Sequence, residues 1–354
     1  MKKIITTILL IFIFLFSIIL FVQDKKEFSD NENRYLQTEA QFSIDRLLSG
    51  NFISDFENLL VDQFPLRDYF MNLKFLVDKI LLKDNINNIY LGKDNYLLQK
   101  YEKPKNTGEI INAINNLDLD INLSLMLVPT SITINRDKLP KNAVTYDELQ
   151  TINYIYDSVH INTINVYDNL KNSKNQVFYY LDHHWTTYGA YEAYKAFKPD
   201  YKTYKFNKVS DNFKGTLYSA SNDFLKKPDE IYSIDTNKVK VEYVFSKKIK
   251  SSLYEESYLD KKDKYSYFLD NNHPLIIIEN LETTNTDELV IIKDSYANSF
   301  IPFLVSHYKK IHVIDPRFYK LSISDYIKEN SINEGLILYN INTLDSDLGI
   351  RQVY

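Results

Sequence analysis

Residues 289–299 read LVIIKDSYANS. The first four are large and apolar, mostly β-branched, and the run is too short for a helix. Such a run reads as a strand buried on both faces. Lys293-Asp294-Ser295 ends it, and Tyr296-Ala297-Asn298-Ser299 suits the start of a helix. The same grammar recurs at 121–129 (INLSLMLVP), 161–167 (INTINVY), 275–279 (LIIIE), 311–315 (IHVID) and 335–339 (GLILY). Helical patterns stand between these runs, among them 106–117 and one that Thr145-x-x-Glu148 introduces as a capping box. Short apolar strands alternating with helices predict an α/β fold with a parallel sheet flanked by helices. In such sheets ligands bind beyond the carboxyl ends of the strands, which directs attention to the residues just after each run.

Outside this core the rhythm changes. Between about 199 and 273 the alternation is lost in a stretch rich in Lys, Tyr and Ser, with Gly215 its one glycine. It reads as an insertion, either substrate-facing or simply solvated. Toward the N-terminus, 28–82 has helical periodicity. Ser54-x-x-Glu57 predicts a capping box before Phe56, Leu59, Leu60 and Phe64; Pro65 interrupts; a second run follows at Phe70, Leu73, Phe75, Leu76 and Ile80. Ile89-Tyr90-Leu91 and Tyr96-Leu97-Leu98 flank Gly92-Lys93-Asp94-Asn95 and predict a β-hairpin.

The N-terminus points to a membrane. Lys2-Lys3 precede the uncharged stretch Ile4–Val22, which as a helix is about 28 Å long, close to the thickness of a hydrocarbon core. No small-x-small site follows in Gln23-Asp24-Lys25-Lys26-Glu27, so an uncleaved signal anchor is expected, with a cleaved signal as the alternative. The positive-inside rule then places the rest of the chain outside the cytoplasmic membrane, although Lys25-Lys26 on the far side weakens the asymmetry. The expected organisation is a membrane segment at 1–27, a helical segment with a β-hairpin at 28–104, and an α/β domain at 105–354 with an insertion at about 199–273.

Composition removes several function classes. The 354 residues carry 42 Lys plus Arg against 47 Asp plus Glu, a net charge of −5 with no electrostatic footprint for nucleic acid. The chain has no Cys, which rules out disulfides, thiol nucleophiles and thiolate metal sites. No glycine-rich loop suited to phosphate is present, so neither a nucleotide nor any other cofactor is expected.

Two segments hold the residue types of acyl-transfer chemistry. Asp182-His183-His184-Trp185 gathers two of the six His and the only Trp, just before a helical pattern at Tyr188, Tyr191, Tyr194 and Phe197. Ser295 sits where a strand gives way to a helix, a place where backbone N–H groups can hold an oxyanion. A serine hydroxyl needs a base, and the imidazole needs a carboxylate to fix its tautomer. In an extended segment Asp182 and His184 share a face while His183 points away, which selects His184 as the base. A metal at Asp182-His183-His184 is the rival reading, with His273, His307 or Asp294 as further ligands, but none has diagnostic spacing. His307 and His312 read as structural.

Asp182-His183-His184-Trp185, with Thr186 and Gly189-Ala190 after it, resembles the signature of the DHHW protein family of Gram-positive bacteria. The resemblance extends to Glu32-Asn33-Arg34-Tyr35-Leu36, Asp62-Gln63-Phe64-Pro65-Leu66-Arg67-Asp68, Tyr90-Leu91-Gly92-Lys93-Asp94 and Gly215-Thr216-Leu217-Tyr218-Ser219. It continues through Asn272-His273-Pro274-Leu275, Asp294-Ser295-Tyr296-Ala297-Asn298-Ser299, Pro302-Phe303 and Asp315-Pro316-Arg317-Phe318-Tyr319. That family is in turn similar to the alginate O-acetyltransferases, exported proteins with an SGNH-hydrolase-like fold. Those carry Asp-x-His-Trp first and Asp-Ser later. The resemblance implies Asp182 as orienting acid, His184 as base and Ser295 as nucleophile, and leaves His183 without a role. One departure is Lys293, where the relatives have Gly before Asp-Ser.

The implied protein is a single-pass O-acyltransferase of the cytoplasmic membrane, its C-terminal domain outside. Its acyl donor would come from a polytopic membrane acyltransferase, and its acceptor would be a cell-surface glycan. Asn298 would assist at the oxyanion, and Tyr296, Arg317 and Trp185 are candidate substrate contacts. An esterase with the same triad, and a non-catalytic envelope-assembly or glycan-binding protein, are the alternatives.

Overall fold

A computed structural model describes residues 2–117 and 119–352 of the chain; Asp118, and residues 353–354 at the end of the expected α/β domain, lie outside it. The chain forms two compact units, one of residues 1–83 with 218–225 and one of 84–217 with 226–354.

The first unit begins with α1 (Lys2–Val22). Two short strands, β1 (Phe28–Ser29) and β2 (Arg34–Tyr35), pair antiparallel. Helices α2 (Ile44–Leu48), α3 (Asn51–Asp62) and α4 (Arg67–Ile80) come next. The expected capping box at Ser54 does not form, because α3 starts a turn earlier behind Gly50, whose φ of 79° suits glycine. Phe52 packs between Phe42 and Phe56 there, extending the apolar period upstream. Pro65 does separate α3 from α4. Two of the family-like blocks meet in this unit. Arg34 donates to Asp62 through both nitrogens (3.0 and 2.5 Å), and Arg67 pairs with Glu32 at 2.6 Å.

In the second unit β3 (Asn85–Ile86), β4 (Ile89–Leu91) and β5 (Leu97–Gln99) form a small sheet, with the expected hairpin at β4–β5. After α5 (Thr107–Asn115) come β6 (Asn122–Val128), α6 (Ser131–Ile134), α7 (Glu148–Ser158), β7 (Asn162–Ile164), α8 (Tyr167–Lys171) and α9 (Thr187–Phe197). Helix α7 is capped by Asp147, which accepts from the Gln150 N–H at 3.1 Å, and not by Thr145. Thr145 bonds Tyr101 instead, while the buried Glu148 accepts from the N–H and hydroxyl of Thr130. The stretch whose rhythm was lost supplies β8 (Phe206–Phe213), α10 (Thr216–Ser221, of which 218–221 count with the first unit), β9 (Asp229–Ile234), β10 (Val239–Tyr243) and β11 (Lys248–Lys250). Strands β12 (Leu275–Asn280) and β13 (Glu288–Lys293), helix α11 (Ala297–Leu304), β14 (Lys310–Ile314), α12 (Ile323–Glu329), β15 (Glu334–Asn340) and α13 (Ile341–Ser346) complete the unit.

The main sheet has eight strands in the order β11-β10-β12-β14-β13-β15-β6-β7. From β14 to β7 all neighbours run parallel, as the apolar runs implied. The run 275–279 is a departure, because β12 is antiparallel to β14. Only residues 281–287 connect β12 to β13, which lies beyond β14 in the sheet. So short a link leaves no room for a helical crossover to the opposite end, so the chain must re-enter the sheet from the same end. Side chains alternate across the sheet: Leu289, Ile291, Leu336 and Leu338 face α9 and α11, while Val290, Ile292, Ile337 and Tyr339 face the other apolar layer with α5 and α7.

Ile291, at the centre of this sheet, has no solvent exposure, whereas Ile249 on edge strand β11 is 59% exposed. Ile291→Ala should lower unfolding stability by about 2–5 kcal/mol in urea titration. Ile249→Ala should stay within about 0.5 kcal/mol of the parent.

Candidate active site

The site lies at the carboxyl ends of the parallel strands, in the second unit. Strand β13 delivers Asp294 and Ser295 to its end. The Asp294 carboxylate accepts from the Tyr296 N–H (2.9 Å) and, across to β15, from the Asn340 N–H (2.9 Å) and amide (2.6 Å). Burial works against its charge, and its pKa is pushed up to about 6. Asp294 therefore shapes the turn that presents Ser295, which is more exposed than the buried residues on either side of it.

Asp182 and His184 come together by a bend, not by the extended parity expected. The His184 N–H donates to Asp182 Oδ1 at 3.0 Å, curling the segment so that His184 Nδ1 meets the same oxygen at 2.6 Å. His184 Nε2 then reaches Ser295 Oγ at 2.8 Å. His183 does not point away: its ring lies 3.8 Å from that of His184. Its Nδ1 contacts Thr216 Oγ1 (2.7 Å), and this hydroxyl donates to Asp182 Oδ2 (3.0 Å). The Thr216 N–H donates to the same oxygen at 2.8 Å.

Burial raises the cost of the Asp182 charge, yet the neighbouring His183 and His184 and these donors hold its pKa well below the carboxylate range. Gly215 lets Thr216 come so close. A Cβ at Gly215 would lie 2.2 Å from Asp182 Oδ2 and 2.3 Å from its Cβ. Tyr265 completes the wall: its ring stacks on His184 at 3.6 Å and 9°, and its hydroxyl donates to the Ser295 carbonyl at 3.1 Å. Sequence reasoning did not pick out Gly215, Thr216 or Tyr265 as site residues. All three fall in the stretch that had lost its rhythm, where Gly215 and Thr216 stood out only within the family-like block 215–219 and Tyr265 not at all.

The other expected contacts fare differently. Trp185 is fully buried, and its indole N–H donates to the Tyr296 carbonyl (2.9 Å) and Ser299 Oγ (3.0 Å). Tyr296 is 1% exposed, and its hydroxyl donates to the His183 carbonyl. Neither ring is open to a substrate; both tie the Asp182–Trp185 segment to the Ser295 turn. Arg317 is half-buried and forks onto Asp315 through Nε (2.8 Å) and Nη2 (2.6 Å).

Lys293 neither crowds the turn nor projects charge outward. It is fully buried, and Nζ donates to Asn272 Oδ1 (2.7 Å), Asn298 Oδ1 (2.8 Å) and Asp315 Oδ2 (3.4 Å). Burial lowers its pKa against the pull of Asp315. With Asn298 Oδ1 held this way, its amide end is the donor, and it gives an N–H to Asn272 Oδ1 at 3.2 Å. The backbone N–H groups of Tyr296, Ala297 and Asn298 are spent on Asp294 Oδ1, the Asp294 carbonyl and the Ser295 carbonyl.

Ligand atoms of Asp182, His183 and His184 lie within 4.8 Å of one another. The suggested further metal ligands do not join them. His273 bonds the Asp270 carbonyl, His307 the Tyr194 hydroxyl, and Asp294 is held by Asn340. His312 is buried between Tyr326 and Glu288.

The family described as DHHW protein matches residues 89–314. Among solved structures, a DHHW family protein from Eubacterium siraeum is 22% identical with a TM-score of 0.65, covering 76% of this chain and 96% of its own. Bacillus cereus PatB1 with a sulfonyl adduct is 20% identical with a TM-score of 0.62, covering 75% of this chain and 97% of its own. The O-acetyltransferase domain of Pseudomonas putida AlgJ is 14% identical with a TM-score of 0.50, covering 75% of this chain and 98% of its own. At these identities the likeness speaks for the fold alone, an α/β arrangement with a central, mostly parallel sheet flanked by helices. No curated protein sequence matches the chain.

Two measurements test this geometry. Gly215→Ala should cost about 1–3 kcal/mol through overlap with Asp182, whereas Gly108→Ala, with nothing within 4 Å, should be neutral or stabilising in the same urea titration. The His183 pKa is pushed down to about 4, by burial first and then by His184. The unfolded chain therefore binds the extra proton between about pH 6.5 and pH 4, and stability falls as pH drops through that window. His273, His307 and His312, also lowered by burial, add to the same trend. His183→Gln should show a shallower fall of Tm from pH 6.5 to 4 than the parent.

Proposed function

The chain belongs to the DHHW protein family, and from that premise we propose that it is a membrane-anchored serine O-acetyltransferase acting on a cell-surface glycan. The observation that carries this reading is the unbroken line from Asp182 through His184 to Ser295, with links of 2.6 and 2.8 Å. Likeness of fold to an O-acetyltransferase domain supports the class of reaction.

In the reaction, His184 Nε2 takes the Ser295 hydroxyl proton as Oγ attacks the acetyl carbonyl of an ester or thioester donor. Asp182 keeps the imidazole in the required tautomer and stabilises it once protonated. The Asn298 amide, its oxygen held by Lys293 and one N–H given to Asn272, is the proposed donor to the oxyanion through its second N–H. Collapse expels the donor's leaving group, which receives the proton from His184, and leaves acetyl-Ser295. A glycan hydroxyl then gives its proton to His184 and attacks the acetyl carbon. The second collapse frees Ser295, which recovers the proton, and releases the O-acetylated glycan. Water in place of the glycan would give an esterase by the same steps.

A polytopic membrane acyltransferase is the proposed source of the acetyl group. Helix α1, whose stretch Lys3–Val22 is long and apolar enough to cross a membrane, would keep the domain beside it. Arg317, the one expected substrate contact that keeps part of its side chain in solvent, stands as a candidate for polar glycan groups.

Incubation with p-nitrophenyl acetate should add one acetyl group at Ser295, read by mass spectrometry of the digested protein. A sulfonyl fluoride should likewise form a sulfonate ester on Ser295 Oγ with loss of fluoride. Ser295→Ala should abolish both adducts. His184→Ala and Asp182→Ala should reduce the rate of acetylation by about 10³-fold or more. Release of acetate without transfer to added glycans would favour the esterase, and normal surface acetylation in cells carrying Ser295→Ala would refute the enzymatic reading.

A further inference from the structure

Helix α4 has two apolar faces, and only one has a partner inside its own unit. On the inner face the buried Phe75 meets Phe224 edge-on at 5.6 Å, and Asn72 accepts from the Asn222 amide at 3.2 Å. The outer face carries Leu66 at its cap, then Tyr69, Leu73, Leu76, Val77 and Ile80, which recur at i+3, i+7, i+10, i+11 and i+14 from Leu66. Their exposure runs from 38% to 77%. This is the spacing of one continuous stripe along a helix. Leu81 and Leu82 extend it, at 64% and 88% exposed. The exposed positions of the preceding α3 are mixed, with Ser54, Glu57 and Asn58 beside Ile53 and Val61. The short α2 also exposes Ile44, Leu47 and Leu48, but the stripe on α4 runs the length of a 14-residue helix. A stripe of this size on a soluble surface marks something that covers it.

The position of α1 identifies the cover. Phe16 of α1 stacks on Phe64, at the α3–α4 turn, with centroids 5.3 Å apart, and it also meets Phe70 of α4 at 6.2 Å. Phe16 lies six residues before the end of α1, about 9 Å along the helix axis from its exit. The height is fixed by polar contacts at that exit. Gln63 accepts from the Lys26 N–H and donates to the Lys26 carbonyl, both at 2.9 Å, while Gln23 donates to the Gln63 carbonyl at 2.5 Å. Insertion of α1 into hydrocarbon thus draws Phe64 and the first turn of α4 to the depth of the acyl chains.

We infer that α4 is a second membrane element, an amphipathic helix seated in the outer lipid–water interface with its 66/69/73/76/77/80 stripe in the lipid. Phospholipid is the occupant because the stripe is continuous, through Phe64 and Phe70, with a helix whose own surroundings are lipid. The inference rests on α1 being membrane-inserted, and the experiment separates the two.

The chain has no Cys, so single probes can be placed without other changes. The full chain, in phosphatidylcholine vesicles, would carry an environment-sensitive fluorophore at Phe14→Cys, Leu66→Cys, Leu73→Cys, Ile80→Cys or Glu57→Cys. Brominated phosphatidylcholine should quench the probe at Phe14 and at all three α4 positions. The probe at Glu57 should stay bright and open to aqueous iodide. Quenching at Phe14 with water-exposed probes on α4 overturns the inference and leaves the anchor standing. Probes on α4 that are shielded from both bromolipid and iodide overturn it in favour of a protein partner. A probe at Phe14 that escapes bromolipid removes the anchor and this inference together. None of these outcomes depends on the chemistry at Ser295.

Discussion

The Asp182 carboxylate is the constraint around which the site is built. A buried charge is costly unless donors surround it, and Asp182 at 2% exposure is surrounded. One oxygen takes the N–H and Nδ1 of His184; the other takes the N–H and hydroxyl of Thr216. Each donor imposes a structural condition. The bend at 182–184 exists to bring two of them to one oxygen. Gly215 lacks a Cβ because the carboxylate occupies that space. Another buried acid, Asp229, supports this from behind by accepting the N–H groups of Tyr180 (2.9 Å) and Leu181 (2.8 Å), the residues that lead into the bend. Trp185 and Tyr296 then lock the bend to the serine turn.

Much of this was legible in the sequence, for identifiable reasons. Buried parallel strands leave runs such as LVIIK and GLILY that polar positions do not interrupt, so the sheet and the location of Ser295 at its carboxyl edge could be read directly. The pairing of Asp182 with His184 was also legible, but the argument from extended parity was not how the chain achieves it. A side chain that bonds its own backbone two residues on produces a bend that alternation cannot reveal. The capping residues slipped for a similar reason: Thr145-x-x-Glu148 has the right spacing, yet Asp147 lies nearer the helix and Glu148 serves Thr130. The family-like block at 215–219 marked Gly215 and Thr216 without saying what they do, and Tyr265 carried no mark, because each role depends on where a solvent-edged, irregular segment returns to the sheet. Periodicity has no register for such a return.

Lys293 shows how a departure from a family pattern is absorbed. A lysine with no solvent exposure beside a second cation, Arg317, requires a shared anion, and Asp315 supplies it. The remaining donor capacity of Lys293 goes to Asn272 and Asn298. The side chain is thus the hub of a polar network. That network fixes the orientation of the Asn298 amide, whose oxygen accepts from Lys293 and whose nitrogen donates to Asn272.

The hydrogen bond between His184 and Ser295 joins residues 111 apart in the chain. Closing so large a loop has an entropic cost that local contacts do not repay, and the sheet delays it further. The last strand among the described residues, β15, inserts in the middle of the sheet between β13 and β6. Asp294, which sets the serine turn, is held by Asn340 at the end of that strand. The acid and its imidazole are neighbours in sequence and can meet early, while the serine is poised only after the final strand docks. A chain emerging N-terminus first therefore carries the Ser295 hydroxyl apart from His184 through synthesis, and their contact is a late product of folding.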